Sequence, residues 1–355
     1  TMPAPAADLP APSDAVTAFN QAMDNWDGEA ADRAVAAMAR SAGQHQVFER
    51  FFRYGARDFR DIGHKAIFVA NTHRTLGVIG WRHAEPILRS LADALLEHEG
   101  ENPARREAEA DMHWRRNEVL AKRIPSRWLD GKPDEGAARE LVSVFREQSP
   151  QDACAAVVSV LERGVSPQSV WDALFLGSAE LLGRQPGIVS LHSLTTANAL
   201  QFAFHASGDD ETRRMILLQN AAFLPAFRMA AERRGALGNF RILDLEPAEA
   251  PPTADGLAEI LADISRDKHQ AAAKILGYAK SSEAAESFMD GARALIFSKG
   301  RDSHDYKFSS AVLEDYYAVS PAWRNRFLSA SVFHLKGAGD QDTGLLQRTR
   351  DAFNA

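Results

Sequence analysis

From Ser13 to the C-terminus, almost every stretch of the chain carries apolar residues at three- and four-residue spacing. Strand-like alternation never persists beyond four residues, and there is no internal repeat and no glycine-rich phosphate loop. A chain so patterned buries its apolar stripes by packing helix on helix. The spacing predicts helices over 14–26, 28–41, 44–59, 63–76 and from about His83 to Leu95. Further helices are expected over 136–148, 150–163, 167–182, 189–207 and 210–233, the last interrupted by Pro225. After the proline-rich 245–254 loop, the pattern resumes over 254–263, 268–279, 282–299, the His304 segment, 321–335 and 341–353. The expected fold is a compact all-α bundle of largely antiparallel helices forming a single domain over 13–355.

Two segments break the rhythm. The Ala/Pro-rich residues 1–12 are expected to be a disordered tail. Residues 97–135 are dense in charge, carry Pro103, Pro125 and Pro133, and embed Trp114, Arg115, Arg116 and Trp128. A connection this long with weak periodicity reads as an insertion or lid, with those four residues as the ones that would cover a site.

Composition narrows the function. A formal net charge of -7 argues against nucleic-acid binding, which needs clustered cations. The single cysteine, Cys154, lies in an Ala/Val helix, reads as core, and excludes both a disulfide framework and a thiolate metal cluster. No run approaches the roughly 18 apolar residues of a membrane span, and no signal-peptide pattern opens the chain. The expectation is a soluble protein, cytoplasmic or the mature part of an exported one. The oligomeric state is not legible.

Any metal must therefore be held by histidine, carboxylate or something derived from them. Helix faces sort the eleven histidines. His64, His83, His192 and His304 share stripes with apolar or small residues and are expected to point inward from four different helices, the way bundles assemble metal sites. His98, His113 and His269 sit among charges and read as solvated. His304 and Lys307 lie three apart on one stripe with Phe308, Ala311 and Asp315, in a helix that Asp302 or Ser303 would cap. Partial burial of Lys307 favours its neutral amine, which can add CO2 to become a carbamate, an oxygen ligand. No Gly-x-Ser-x-Gly elbow, His-Glu-x-x-His or repeated Glu-x-x-His motif is present.

Four segments together resemble the questin oxidase-like family: the Gly63-His64 helix, Trp81–Arg89 around His83, the His192-Ser-Leu-Thr195 stretch, and His304-x-x-Lys307-Phe308. The resemblance implies an all-α, mononuclear non-haem iron oxygenase that uses dioxygen to cleave aromatic polyketide rings. It implies His64, His83, His192, His304 and carboxylated Lys307 as ligands of Fe2+. Such a nitrogen-rich set also suits other divalent first-row metals. Asp58, Asp61, Asn71, Glu85 and Asp305 are the nearby groups that could orient the rings. The expected partners are dioxygen and a small molecule. The alternatives are a metal-dependent hydrolase using the same centre, a non-catalytic helical scaffold, and a haem protein with His73 or His205 as axial ligand.

Overall fold

The computed structural model describes residues 4–5 and 8–354; of the expected tail, residues 1–3 and 6–7 lie outside the described residues. Among the described residues the fold is all-α, without a strand. The first helices are α1 (Ala15–Asp24), α2 (Gly28–Ser41), α3 (Gln44–Ala56), α4 (His64–Ile79), α5 (Ala84–Leu96) and α6 (Glu109–Leu120). Then come α7 (Glu135–Glu147), α8 (Pro150–Glu162), α9 (Pro167–Arg184), α10 (Ile188–Ala206) and α11 (Asp210–Glu232). The last are α12 (Ala254–Asp263), α13 (Lys268–Tyr278), α14 (Ser282–Lys299), α15 (Ser303–Ala318), α16 (Pro321–Ala330) and α17 (Gly344–Asn354).

The boundaries follow from local chemistry. Asp27, Asp134, Ser149, Ser166, Thr253, Asp267, Ser281 and Asp302 each cap a helix by accepting a backbone N–H from its first turn. Pro150, Pro167 and Pro321 open theirs, where no amide hydrogen is needed. Gly80, at φ 94°, ends α4 in a conformation that a side chain would resist. The helix expected over 63–76 runs on through Gly77 to Ile79.

The chain groups into two compact units. The first holds the described residues up to Trp128, Ser149–Arg163 and Ala199–Ala226. In it α2 packs against α1 and α5, α3 against α4, and α6 against α8. Phe19, Phe48 and Phe51 are fully buried there, with the Phe19 and Phe51 rings 5.1 Å apart. Each such ring contributes about 2–3 kcal/mol by leaving water. The second unit holds Leu129–Gln148, Gly164–Asn198 and the described residues from Phe227 onward. Its core forms where α9 meets α7 and α16, around Trp171, Phe175 and Phe327. The proline-rich 245–254 loop is internal to this unit and docks on α13, where Ala248 N–H donates to the Ala273 carbonyl at 2.9 Å.

The 97–135 segment is not a loose insertion. It folds into α6 and short 3-10 turns. Trp114 and Trp128 are buried, and their ring N–H groups donate to Glu118 (3.0 Å) and Asp210 (2.8 Å). The periodicity fails because α6 buries Asp111, Trp114 and Asn117, a mostly polar stripe that reads as solvent-facing. Asp111 takes a two-pronged ion pair from Arg60, and Asn117 donates to Gln219. Arg115 pairs with Glu107 and the Arg106 carbonyl, and Arg116 lies against the Gln151 amide. All four residues expected to form a lid are thus tied into local structure.

Candidate metal centre

Residues 189–200 of α10 are all buried, and His192 among them has no exposed surface. Its Nδ1 lies 2.6 Å from the Ile188 carbonyl. A carbonyl only accepts, so Nδ1 carries the ring proton and Nε2 keeps its lone pair. That lone pair faces Lys307 Nζ at 2.9 Å.

Lys307 comes from α15, whose start is fixed by Asp302 accepting the N–H groups of His304 (2.8 Å) and Asp305 (3.2 Å). The same helix brings the His304 ring edge-on to His192, with centroids 5.3 Å apart. His304 Nδ1 lies 3.5 Å from the Asp302 carboxylate. Further along, the Asn198 amide donates to Asp315 at 2.7 Å and Glu314 at 3.0 Å. The His192–Lys307 and Asn198–Asp315 contacts are about 9 Å apart along α10 and about 12 Å apart along α15. Two pins at that separation fix the register of one helix against the other.

His64 opens α4 directly after three consecutive left-handed residues, Asp61 (φ 49°), Ile62 (φ 45°) and Gly63 (φ 81°). For a β-branched residue such as Ile62 this conformation is strained by about 1–2 kcal/mol. The turn carries Asp61 back under the ring it precedes: His64 Nδ1 lies 3.0 Å from the Asp61 carboxylate. A proton on Nδ1 shared with that carboxylate leaves Nε2 as the ligand nitrogen, the usual carboxylate–histidine–metal arrangement. The other face of the ring stacks on Phe68, with centroids 5.6 Å apart and planes 5° from parallel.

One ring nitrogen from each of His64, His192 and His304 lies within 4.8 Å of the other two. Two nitrogens on a single ion are at most about 4.2 Å apart at bonds of about 2.1 Å. Three imidazoles, two of them with Nδ1 engaged by an acceptor, fit a divalent first-row metal.

His83 is not one of this group. It is exposed in the 3-10 turn Trp81–His83, and its Nε2 accepts from Arg82 Nε at 2.9 Å. The expectation that it points inward fails because α5 buries the stripe of Ala84, Leu88, Leu91 and Leu95, while Ile87, Ser90 and Ala94, on the face His83 was expected to share, are half-buried or exposed. His64 and His304 are half-buried.

Of the five groups expected to orient the rings, Asp61 is the one that lies against a ring of the cluster. Asp58 is fully buried, but it serves Lys65 (3.2 Å), Arg60 (3.3 Å) and the Arg60 N–H (3.1 Å). Asn71 accepts from Arg74, Glu85 pairs with Arg40, and Asp305 takes Lys336 at 2.9 Å and the Arg301 N–H. Sequence reasoning missed Phe68, the Ile188 carbonyl and the Asn198 clamp. Only Asp315, on the stripe of His304, gave a signal for the last.

Of the histidines expected to be solvated, His269 is exposed, whereas His98 and His113 are half-buried. The His113 pKa is lowered first by burial and then by Arg116. His73 packs between Phe48 and Phe202 with its pKa likewise lowered by burial, while His205 is exposed.

The fold and this cluster define an all-α protein with three gathered imidazoles and an adjacent lysine amine. Compared with protein-family models, curated proteins and solved structures, the chain matches none.

Proposed function

We propose that the protein is a mononuclear non-haem metal-dependent oxygenase, with Fe2+ held by His64, His192 and His304 and a carboxylated Lys307 as oxygen ligand. The observation that carries this reading is the approach of the three imidazole nitrogens to within 4.8 Å of one another. Lys307, 2.9 Å from His192 Nε2, supports the fourth ligand. Its amine would add CO2 and lose one proton, turning a competing donor into an anionic acceptor. Iron over other first-row metals, and dioxygen over water as co-substrate, rest on the resemblance to the questin oxidase-like family.

Iron(II), when bound, supplies the electrons with which dioxygen is activated. The chain's own side chains do the rest. The Asp61 carboxylate and the Ile188 carbonyl each hold a proton on Nδ1, which aims the opposite nitrogen of His64 and His192. Asn198, gripping Asp315 and Glu314, keeps His304 and Lys307 in register with His192. Phe68 is 38% exposed beside His64 and offers a flat apolar face, which suits an aromatic or polyketide-like small molecule. No helix among the described residues is long and apolar enough to cross a membrane.

The test is oxygen uptake by iron-loaded protein with electron-rich hydroxylated aromatics. The reading expects substrate-dependent consumption that His192→Ala abolishes. Iron-loaded protein that hydrolyses esters or amides without consuming oxygen would replace it with a hydrolase.

A further inference from the structure

Apart from the histidine cluster, the first unit contains a cavity of about 330 Å³ among α6, α8 and α11. Its apolar lining comes mainly from Leu120, Pro150, Ala155 and Ala222, and the Cys154 thiol belongs to the same wall. Burial pushes that thiol up to about 12 and it donates to the Leu218 carbonyl at 3.2 Å, so it lines the wall as an inert group. Apart from Gln151 on α8, the polar groups belong to α6 and the turn that follows. Arg116 lies against the Gln151 side-chain amide, Arg123 pairs with Glu162 at 3.2 Å, and His113 contributes an imidazole. Burial and the Arg116 charge hold the His113 pKa below its ordinary value, so the ring is neutral near pH 7 and carries both an N–H donor and a lone pair. Asn117, the remaining polar group, is occupied by Gln219.

The volume lies at the low end of small-molecule sites, about 300–1,000 Å³, and the make-up is theirs: apolar walls with a few convergent polar groups. Among the described residues no carboxylate pairs with the Arg116 guanidinium, unlike that of Arg123, so Arg116 supplies the net positive charge of the opening. We infer that this cavity is a second ligand site, separate from the histidine cluster, for a small amphipathic carboxylate. The carboxylate pairs with Arg116 and accepts from the His113 N–H, and the apolar tail lies along Leu120, Ala155 and Ala222. No residue of the histidine cluster lines it, so this inference stands whatever the cluster does.

Octanoate is the probe, titrated into the full-length protein by calorimetry, with 1-octanol as its uncharged counterpart. Saturable one-to-one binding in the high-micromolar range is expected, at least tenfold weaker for octanol. Arg116→Gln, a change at an exposed side chain, should weaken octanoate about tenfold and leave octanol unaffected. Ala155→Phe, also at an exposed position, should fill the cavity and abolish both while the circular dichroism stays that of the wild type. No octanoate binding at millimolar concentration would overturn the inference, as would equal affinity of the Arg116→Gln variant or binding unchanged by Ala155→Phe.

Discussion

Lys307 Nζ lies 2.9 Å from His192 Nε2, so the only ring nitrogen of His192 with a lone pair already accepts a hydrogen bond from a neighbouring amine. A metal at Nε2 and an unmodified Lys307 compete for that lone pair. A carboxylated Lys307 has no such conflict, because its oxygens bind the same ion. The two cases part on one substitution. The carbamate reading predicts that Lys307→Met weakens metal binding about 10–100-fold, and that CO2-depleted buffer does the same to the wild type. Simple competition predicts tighter binding in Lys307→Met and no effect of CO2. Titration with Co2+ followed by its visible absorption distinguishes them.

The turn before His64 trades stability for aim. Replacing Ile62 with glycine relieves a left-handed β-branched residue at φ 45°. After the extra backbone freedom of glycine is counted, the fold should gain about 0.5–1 kcal/mol in urea denaturation. Asp61→Asn keeps the shape but removes the charge that faces His64 Nδ1, and should lower metal affinity about 10–100-fold with little change in stability. A stable variant with undiminished affinity would show that Asp61 does not orient the ring.

Much of the helical framework is legible because its signals are local. Asp27, Thr253 and Ser281 announce helices that begin at Gly28, Ala254 and Ser282, as the spacing predicts. What could not be read is polar burial. The inward stripe of α6 consists of Asp111, Trp114 and Asn117, whose partners Arg60 and Gln219 are remote in sequence. His83 belongs with Ile87, Ser90 and Ala94, a face that α5 turns away from its buried stripe of Ala84, Leu88, Leu91 and Leu95, and a mixed apolar and small-residue face does not reveal which way it points. His64, His192 and His304 were recognisable as inward-facing candidates, but their proximity depends on packing that no local pattern encodes.

Asp58 is the carboxylate at the centre of a buried cationic cluster. Lys65 lies 3.2 Å and Arg60 3.3 Å from its Oδ2, and Arg57 approaches at 3.8 Å. Lys65 also donates to the carbonyls of Leu95 and Glu97, tying α4 to the end of α5. Asp58→Ala should destabilise the protein by about 3–5 kcal/mol, because three cations then lose a shared partner in a dry environment. Lys65→Met removes a cation along with its desolvation and should cost less. Equal losses in thermal denaturation would contradict this ranking.

His334 makes the fold acid-sensitive. Burial, opposed in part by Asp305 at 3.6 Å, lowers its pKa from 6.5 to about 4. A histidine whose folded pKa is depressed binds fewer protons in the native state than in the unfolded one between those values, so stability rises with pH across that window. As the pH falls from about 6.5 toward 4 the native state loses stability, by at most about 3 kcal/mol from this group. His334→Gln should flatten that limb of the stability–pH curve. A His334 ring proton titrating near 6.5 by NMR would contradict the assignment.

Metal content per chain, measured by plasma mass spectrometry after purification under iron-replete conditions, tests the central claim most directly. The account predicts close to one iron in the wild type and in His83→Ala, and loss of most of it in each of His64→Ala, His192→Ala and His304→Ala. A wild type without metal, or iron retained when any of those three imidazoles is removed, would contradict it.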